Sequence, residues 1–94
     1  MQLSDTKNLM ESLNYKERFI AEYWQTKLRY EKLKAFCNKI EAAQIGHSTN
    51  TMEEPIHDCP YSLLREQQHV MGEYLHILEI RAVIEGINLE GVSE

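Results

Sequence analysis

Apolar side chains recur at alternating spacings of four and three residues through two long parts of this chain. This spacing keeps them on one face of an α-helix. The first helix is predicted from about residue 14 to about residue 44, because Asn14 followed three residues later by Glu17 is typical of a capping box. The face that this helix would bury carries Phe19, Tyr23, Thr26, Tyr30, Leu33, Cys37 and Ile40.

The same period returns after a predicted loop at about residues 45–59, where a glycine, small polar residues and a proline stand close together. The second helix is predicted at about residues 60–86, because Pro60 suits a first helical turn and Gly86 suits a helix end. Its predicted core stripe is Leu63, Gln67, Val70, Tyr74, Ile77, Arg81 and Ile84, with Leu64, Met71 and Leu78 beside it.

Two such helices joined by a loop predict an all-α fold, a long antiparallel two-helix hairpin that forms a single domain over residues 1–94. The residues before Asn14 are expected to add a short N-terminal helical segment. A hairpin has one internal interface, and the predicted apolar faces exceed what one partner helix covers. We therefore expect a homo-oligomer, which would use the surplus surface around Trp24, Leu64, Met71 and Leu78.

The net charge of −5 disfavours a general nucleic-acid binder, because affinity for a phosphate backbone comes mainly from positive charge. The charge is uneven along the chain. Residues 14–44 carry seven basic and four acidic side chains, whereas residues 53–94 carry nine acidic side chains and two arginines. No apolar run approaches the roughly 20 residues that span a bilayer, and no secretory signal is evident. We expect a cytoplasmic protein without membrane contact.

Metal binding and catalysis have weak support in the sequence. Cys37, His47, His57 and Cys59 are suitable zinc ligands by type, but their spacing matches no usual zinc motif. No glycine-rich phosphate loop or activated nucleophile is present. We expect no metal, no cofactor, no disulfide and no enzymatic activity.

One candidate ligand site lies on the first helix, where Tyr23, Lys27, Tyr30 and Lys34 follow one another at spacings of four, three and four. Aromatic rings beside cationic groups are the combination with which proteins hold nucleobases and phosphates. The alternative is that both tyrosines belong to the core with polar tips and that both lysines are solvated.

A second candidate set consists of Gln67, Tyr74 and Arg81, three polar residues within the apolar stripe of the second helix. Polar groups buried in such a stripe need partners, and they can fix helix register or oligomeric state. Alternatively, they line a pocket between protomers.

The stretch "YKERFIAEYWQTKLRYEKL", followed after a loop by "CPYSLLREQQHVMGEYLHILEIRAVIEGINL", resembles a family of small helical-hairpin proteins of bacteriophages and prophages, related to a hairpin protein of crAss-like phages. The resemblance covers about residues 15–89. It is most specific at Leu63, Leu64, Gln67, Met71, Tyr74, Leu78 and Arg81, with Lys32 and Leu33 in the first helix. It implies a non-catalytic phage accessory protein that acts in the cytoplasm of a bacterial host.

Three functions are compatible with these features. The first is a counter-defence protein that sequesters a small phosphorylated nucleotide, an immune second messenger, as other oligomeric helical hairpins do. The second is a protein-protein inhibitor of a host defence enzyme, such as an anti-CRISPR protein or a nucleic-acid mimic, in which the acidic second helix makes the contact. The third is a non-catalytic phage assembly factor. The ladder of tyrosines and lysines favours the first function, whereas the excess of acidic residues at residues 53–94 favours the second.

Overall fold

A computed structural model describes residues 1–46 and 54–90 of the chain. It contains three helices, which are α1 (Leu3–Met10), α2 (Tyr15–Gly46) and α3 (Tyr61–Glu85). The described residues form no strand. The prediction of an all-helical hairpin with a short N-terminal helix is confirmed. Of the predicted loop, residues 47–53 lie outside the described part of the chain, and 54–60 are not helical.

The start of α2 is fixed by side chains of the preceding turn. The Asn14 side-chain oxygen accepts a hydrogen bond from the backbone N–H of Lys16 at 2.8 Å, as expected of a helix cap. Glu17 does not complete the predicted capping box, because the N–H of Asn14 donates instead to the Ser12 hydroxyl at 3.0 Å. The Arg18 guanidinium also donates to the Ser12 carbonyl at 2.9 Å. Ser12 therefore sets the angle between α1 and α2.

The end of α3 follows from the glycine at its C-terminus. Gly86 has a φ of 70°, in the left-handed region that favours glycine. The N–H groups of Gly86 and Ile87 both donate to the Ala82 carbonyl, the latter at 2.8 Å. This turn directs the chain back toward α2, where Ile87 is buried and the Trp24 indole donates to the Leu89 carbonyl at 2.7 Å.

The helices α2 and α3 run antiparallel, since Tyr15 near the start of α2 contacts Arg81 and Glu41 near its end contacts Tyr61. The main core cluster lies where the first half of α2 meets the second half of α3. It contains Phe19, Ile20, Tyr23, Leu75, Leu78, Ala82 and Ile87.

Helix α1 packs on a different part of α2. The fully buried Thr6 hydroxyl donates to the Leu3 carbonyl and accepts a hydrogen bond from the Gln25 side chain at 2.9 Å. The molecule measures 52 × 25 × 22 Å, as expected for a long rod with a short extra helix at one end. None of the described helices is long and apolar enough to cross a membrane.

The predicted core stripe of the second helix is wrong. The structure buries the neighbouring stripe, in which Leu75, Leu78 and Ala82 are 6%, 2% and 3% exposed. The predicted stripe faces solvent instead: Val70 is 55% exposed and Tyr74 is 41% exposed. Both stripes have helical spacing, but the predicted one includes Gln67 and Arg81, whose burial would cost free energy unless each found partners. The buried stripe carries no charge.

Because a different face of α3 is buried, the surface available for oligomerisation also differs from the predicted one. Leu78 is buried inside the hairpin, and Leu64, Met71 and Trp24 are partly buried. The surplus apolar surface of α3 instead consists of Leu63, Val70, Ile77, Ile80, Val83 and Ile84, which are 47–83% exposed. Homo-oligomerisation itself stays a prediction.

Gly86→Ala should lower the free energy of unfolding by about 1 kcal/mol, because an L-residue is disfavoured at positive φ. Gly86→Asn should cost less, since Asn tolerates this conformation better than Ala does. Urea denaturation followed by circular dichroism, at one fixed protein concentration, measures both. Equal midpoints for the wild type and Gly86→Ala would show that this turn does not limit stability.

Candidate functional site

The candidate site is centred on Gly72, where α3 lies against the ring of Tyr30 on α2. A Cβ atom added at Gly72 would come 3.2 Å from Cε1 of Tyr30. A side chain at position 72 would therefore press on the Tyr30 ring. The missing side chain lets this half-buried ring pack directly against the α3 backbone.

Two connected grooves meet at this point, and we call them together the Gly72 groove. The larger has a volume of about 660 Å³ and the smaller about 170 Å³. Both are lined by Tyr30, Gly72 and His76. The larger adds Arg65, Gln68, His69, Glu73 and Ile77, and the smaller adds Lys27, Glu31, Leu75 and Glu79.

Arg65 forms one end of the groove and is held by both helices. Its Nε donates to the Tyr61 hydroxyl at 2.6 Å, and its Nη2 donates to the Asn38 side chain at 3.0 Å. It also hydrogen-bonds Gln68 and lies 3.5 Å from the Glu41 carboxylate. The hydrogen bond to Tyr61 raises the pKa of Arg65. The guanidinium is thus fixed in place, and part of its donor fork is already occupied.

Lys27 forms the other end of the groove. Its ammonium lies 5.6 Å and 5.5 Å from the ring centroids of Tyr23 and Trp24, within the range of cation–π attraction. It is also 3.4 Å from the Tyr23 hydroxyl. These contacts hold a cation beside the groove without a direct carboxylate partner among the described residues.

Histidine and glutamate side chains occupy the groove between these ends. His69 lies 3.2 Å from Glu73, one turn further along α3. His76 borders both parts of the groove, and Glu31 and Glu79 border the smaller part. The lining is therefore mixed in charge, because it contains a cationic side chain at each end, glutamates between them and the Tyr30 ring in the middle.

Only two residues of the predicted ladder on α2 line the groove. Tyr30 and Lys27 line the groove. Tyr23 is only 4% exposed, and its hydroxyl donates to Glu79 at 2.7 Å, so it is a core tyrosine with a polar tip. Burial and this hydrogen bond raise the pKa of Tyr23 far above its ordinary value. Lys34 is exposed and does not line the groove.

The polar set on α3 is exposed rather than buried, and none of Gln67, Tyr74 and Arg81 lines the groove. The Tyr74 hydroxyl donates to Glu22 at 3.3 Å. Arg81 donates to the Tyr15 hydroxyl at 2.6 Å and to Glu85 at 3.1 Å. Its guanidinium also lies 5.1 Å from the Phe19 ring centroid. Tyr74 and Arg81 therefore join α3 to α2 at the surface.

Sequence reasoning missed Arg65, His69, Gly72 and His76 as lining residues. They follow one another on α3 at spacings of four, three and four, as the predicted stripes do. The available signal was Gly72 within the predicted helix. A glycine there lowers helix stability by about 1 kcal/mol relative to alanine, so its presence indicates a structural or functional reason.

The residues considered for metal binding do not converge in the described part of the chain, where no group of three or more His, Cys, Asp or Glu side chains could hold an ion. Cys37 is buried, Cys59 is exposed, and both are free thiols. His57 bonds the Cys59 carbonyl through Nδ1. His47 lies outside the described residues.

The fold defines a helical-hairpin protein with an open groove between α2 and α3. The chain belongs to the Sequestin family, whose family model matches residues 13–84, well over half of the 94 residues. This match spans the residues from α2 to the last turn of α3 and so includes the whole groove. The family name indicates a sequestering, non-catalytic protein, and no enzyme family is indicated. No curated protein and no solved structure matches the chain. The phage origin stays a prediction.

Tyr23→Phe should lower the free energy of unfolding by about 1 to 2 kcal/mol, because it removes a part-buried hydrogen bond to a carboxylate. Tyr74→Phe should cost less than about 0.5 kcal/mol, because its bond to Glu22 is longer and exposed. Urea denaturation of both variants tests the difference.

Ultraviolet absorbance during an alkaline titration adds a second readout. Because the pKa of Tyr23 is raised in the folded state, its contribution to stability is present below the ordinary tyrosine pKa of about 10 and is lost as the pH rises further. One tyrosine should therefore ionise only as the protein unfolds, and that step should vanish in Tyr23→Phe. The same late step in the wild type and in Tyr23→Phe would contradict this placement.

Proposed function

We propose that this protein sequesters a small phosphorylated nucleotide, of the kind used as a bacterial immune second messenger, in the Gly72 groove. The observation that carries the proposal is the groove that borders the Tyr30 ring, with Arg65 at one end and Lys27 at the other. Membership of the Sequestin family supports sequestration as the mode of action.

Tyr30 would supply the contact with the base. Its ring is half-buried, so it is held in place by the hairpin while part of its surface borders the groove. Base–aromatic stacking contributes about 1 to 3 kcal/mol per base and tolerates different bases. Gly72 contributes by letting the Tyr30 ring lie against α3, because a side chain there would push the ring from this position.

Arg65 and Lys27 would bind anionic groups from opposite ends. Hydrogen bonds from charged donors to phosphate are stronger than neutral ones. Arg65 and His76 are eleven residues apart on α3, roughly 16 Å along the helix axis. A site of this length suits a ligand with a base and separated phosphates better than it suits inorganic phosphate.

The proposed site keeps Tyr30 and Lys27 from the sequence-based candidates and adds groove residues of α3. Tyr23 would act indirectly, because its hydroxyl contacts both Lys27 and Glu79. Lys34 lies off the groove, as do Gln67, Tyr74 and Arg81, which have no direct role in this proposal. The protein would act inside a bacterial host as a phage accessory protein that lowers the free concentration of the signal. Such a scavenger needs tight binding and no turnover.

Calorimetric titration with cyclic di-AMP, cyclic di-GMP, cyclic tri-AMP and ADP-ribose tests the proposal. Tyr30→Leu should weaken binding of the best ligand at least tenfold, because it removes one stacking face. Tyr30→Phe keeps the ring and should bind within about threefold of the wild type. Lys27→Gln should weaken binding several-fold, whereas the matched change Lys34→Gln on the same helix should not.

Gly72→Ala is the sharpest variant of this series. Alanine favours a helix over glycine by about 1 kcal/mol, but its Cβ would press on the Tyr30 ring, so the ring should shift and binding should weaken. Circular dichroism and the unfolding midpoint would confirm that the hairpin is intact. If none of the four nucleotides bound at 100 micromolar, and a host defence protein co-purified with the wild type, inhibition of that protein would replace this proposal.

A further inference from the structure

The lining of the Gly72 groove is acidic when its histidines are neutral. Its formally charged side chains are two cations and three carboxylates, namely Lys27, Arg65, Glu31, Glu73 and Glu79. The lining then has a net charge of −1, which would repel an anion at short range. A groove that binds separated phosphates therefore needs a further source of positive charge.

Two histidines of the lining, His69 and His76, can supply that charge, because histidine is the side chain that ordinarily gains a proton between pH 5 and 8. They are not equivalent. His69 lies 3.2 Å from the Glu73 carboxylate, so a proton on His69 would be paired within α3. In the part of the chain that the structure describes, no carboxylate lies within ion-pair distance of His76. A proton on His76 would therefore stay available to a ligand.

The pairing of the helices places His76 across the groove from Lys27. Tyr30 of α2 lies against Gly72 of α3, and the two helices run antiparallel. Lys27 is three residues before Tyr30, and His76 is four residues after Gly72. Both therefore lie about one turn from this contact, in the same direction along the hairpin. An anion beside the Tyr30 ring in the smaller part of the groove would meet both side chains.

His76 also borders both parts of the groove, whereas Arg65 lines only the larger part and Lys27 only the smaller. The two cations are held at their ends, Arg65 by hydrogen bonds and Lys27 by the rings of Tyr23 and Trp24. His76 is thus the basic side chain that can reach a phosphate in either part.

We propose that His76 binds a phosphate of the ligand as an imidazolium and takes up a proton when the ligand binds. This inference rests on the proposed function, because it adds a contact to the same site. A nearby anion favours the charged form of an imidazole. A fraction of His76 side chains that are neutral in the free protein would therefore be protonated in the complex.

The other charged and titratable groups that face His76 come from both helices. They are Lys27, Tyr30 and Glu31 on α2, and Glu73 and Glu79 on α3. The lysine opposes a proton on His76 and the glutamates favour it, but all of them are present both before and after binding. The ligand anion is the charge that binding adds, so protons are taken up and the affinity rises as the pH falls.

Calorimetry with cyclic di-AMP and ADP-ribose tests the proton uptake. The phosphodiester and diphosphate groups of these ligands keep their charge near neutral pH, so a proton that is taken up enters the protein. Titrations at pH 7.0 in PIPES and in ACES, which release different heats per proton, should give an uptake of about 0.5 to 0.7 proton per ligand. Binding should also be about five- to twentyfold tighter at pH 6.0 than at pH 8.0.

Three variants assign the proton to a residue. His76→Gln keeps a side chain that can form hydrogen bonds but cannot be charged, so it should take up no proton and bind within about twofold at the two pH values. His57→Gln is the matched control, since His57 does not line the groove, and it should behave as the wild type. Proton uptake that persists in His76→Gln but is lost in His69→Gln would overturn the assignment. Circular dichroism confirms that each variant is folded.

The same titrations separate this inference from the proposed function. Wild-type protein that binds a nucleotide without proton uptake, and equally well at pH 6.0 and pH 8.0, would refute the role of His76 and leave the proposed function in place. Wild-type protein that binds none of the four nucleotides at either pH would refute both.

Discussion

The packing of α2 against α3 is the contact on which the other features of this protein depend. It is the one long helix–helix interface among the described residues, and its apolar centre lies near one end, where Phe19 and Tyr23 meet Leu75 and Leu78. Toward the other end, Cys37 and Ile40 are also fully buried, and Arg65 and Tyr61 add polar contacts between the helices. The groove lies between these two zones, so both its ends are fixed to the hairpin while its middle is left open.

Gly72 shows how a local cost can serve a site. A glycine within a 25-residue helix lowers helix stability by about 1 kcal/mol relative to alanine. At this position it lets the Tyr30 ring lie against the helix backbone. The hydrogen bonds of Arg65 and the core cluster stabilise the hairpin around Gly72, so the fold tolerates that cost. A functional site is the usual place for such a departure from the local optimum.

The sequence was sufficient to predict the helices but not which face of α3 is buried. Helical period, the Asn14 cap and Gly86 depend on neighbours within a few residues, so they can be read without tertiary structure. Two adjacent stripes of α3 share the same period, and the choice between them depends on which one fits α2. The same limit explains why only part of the ladder of tyrosines and lysines lines the groove. Tyr23 contacts Glu79, and Tyr30 contacts Gly72, only after the two helices pair. The lining residues of α3 could not be chosen before that pairing was known.

The charge distribution also affects how an anionic ligand of the proposed class would bind. The whole chain has a net charge of −5, so long-range electrostatic attraction would not accelerate the encounter with an anion. At physiological salt this repulsion is screened beyond about 8 Å, and contacts inside the groove then determine the affinity. Tyr30, Lys27 and Arg65 act at that short range, and their effect would be to slow dissociation rather than to speed association. Tight binding is what sequestration requires, because at equilibrium the dissociation constant and the number of sites set the free concentration of a signal.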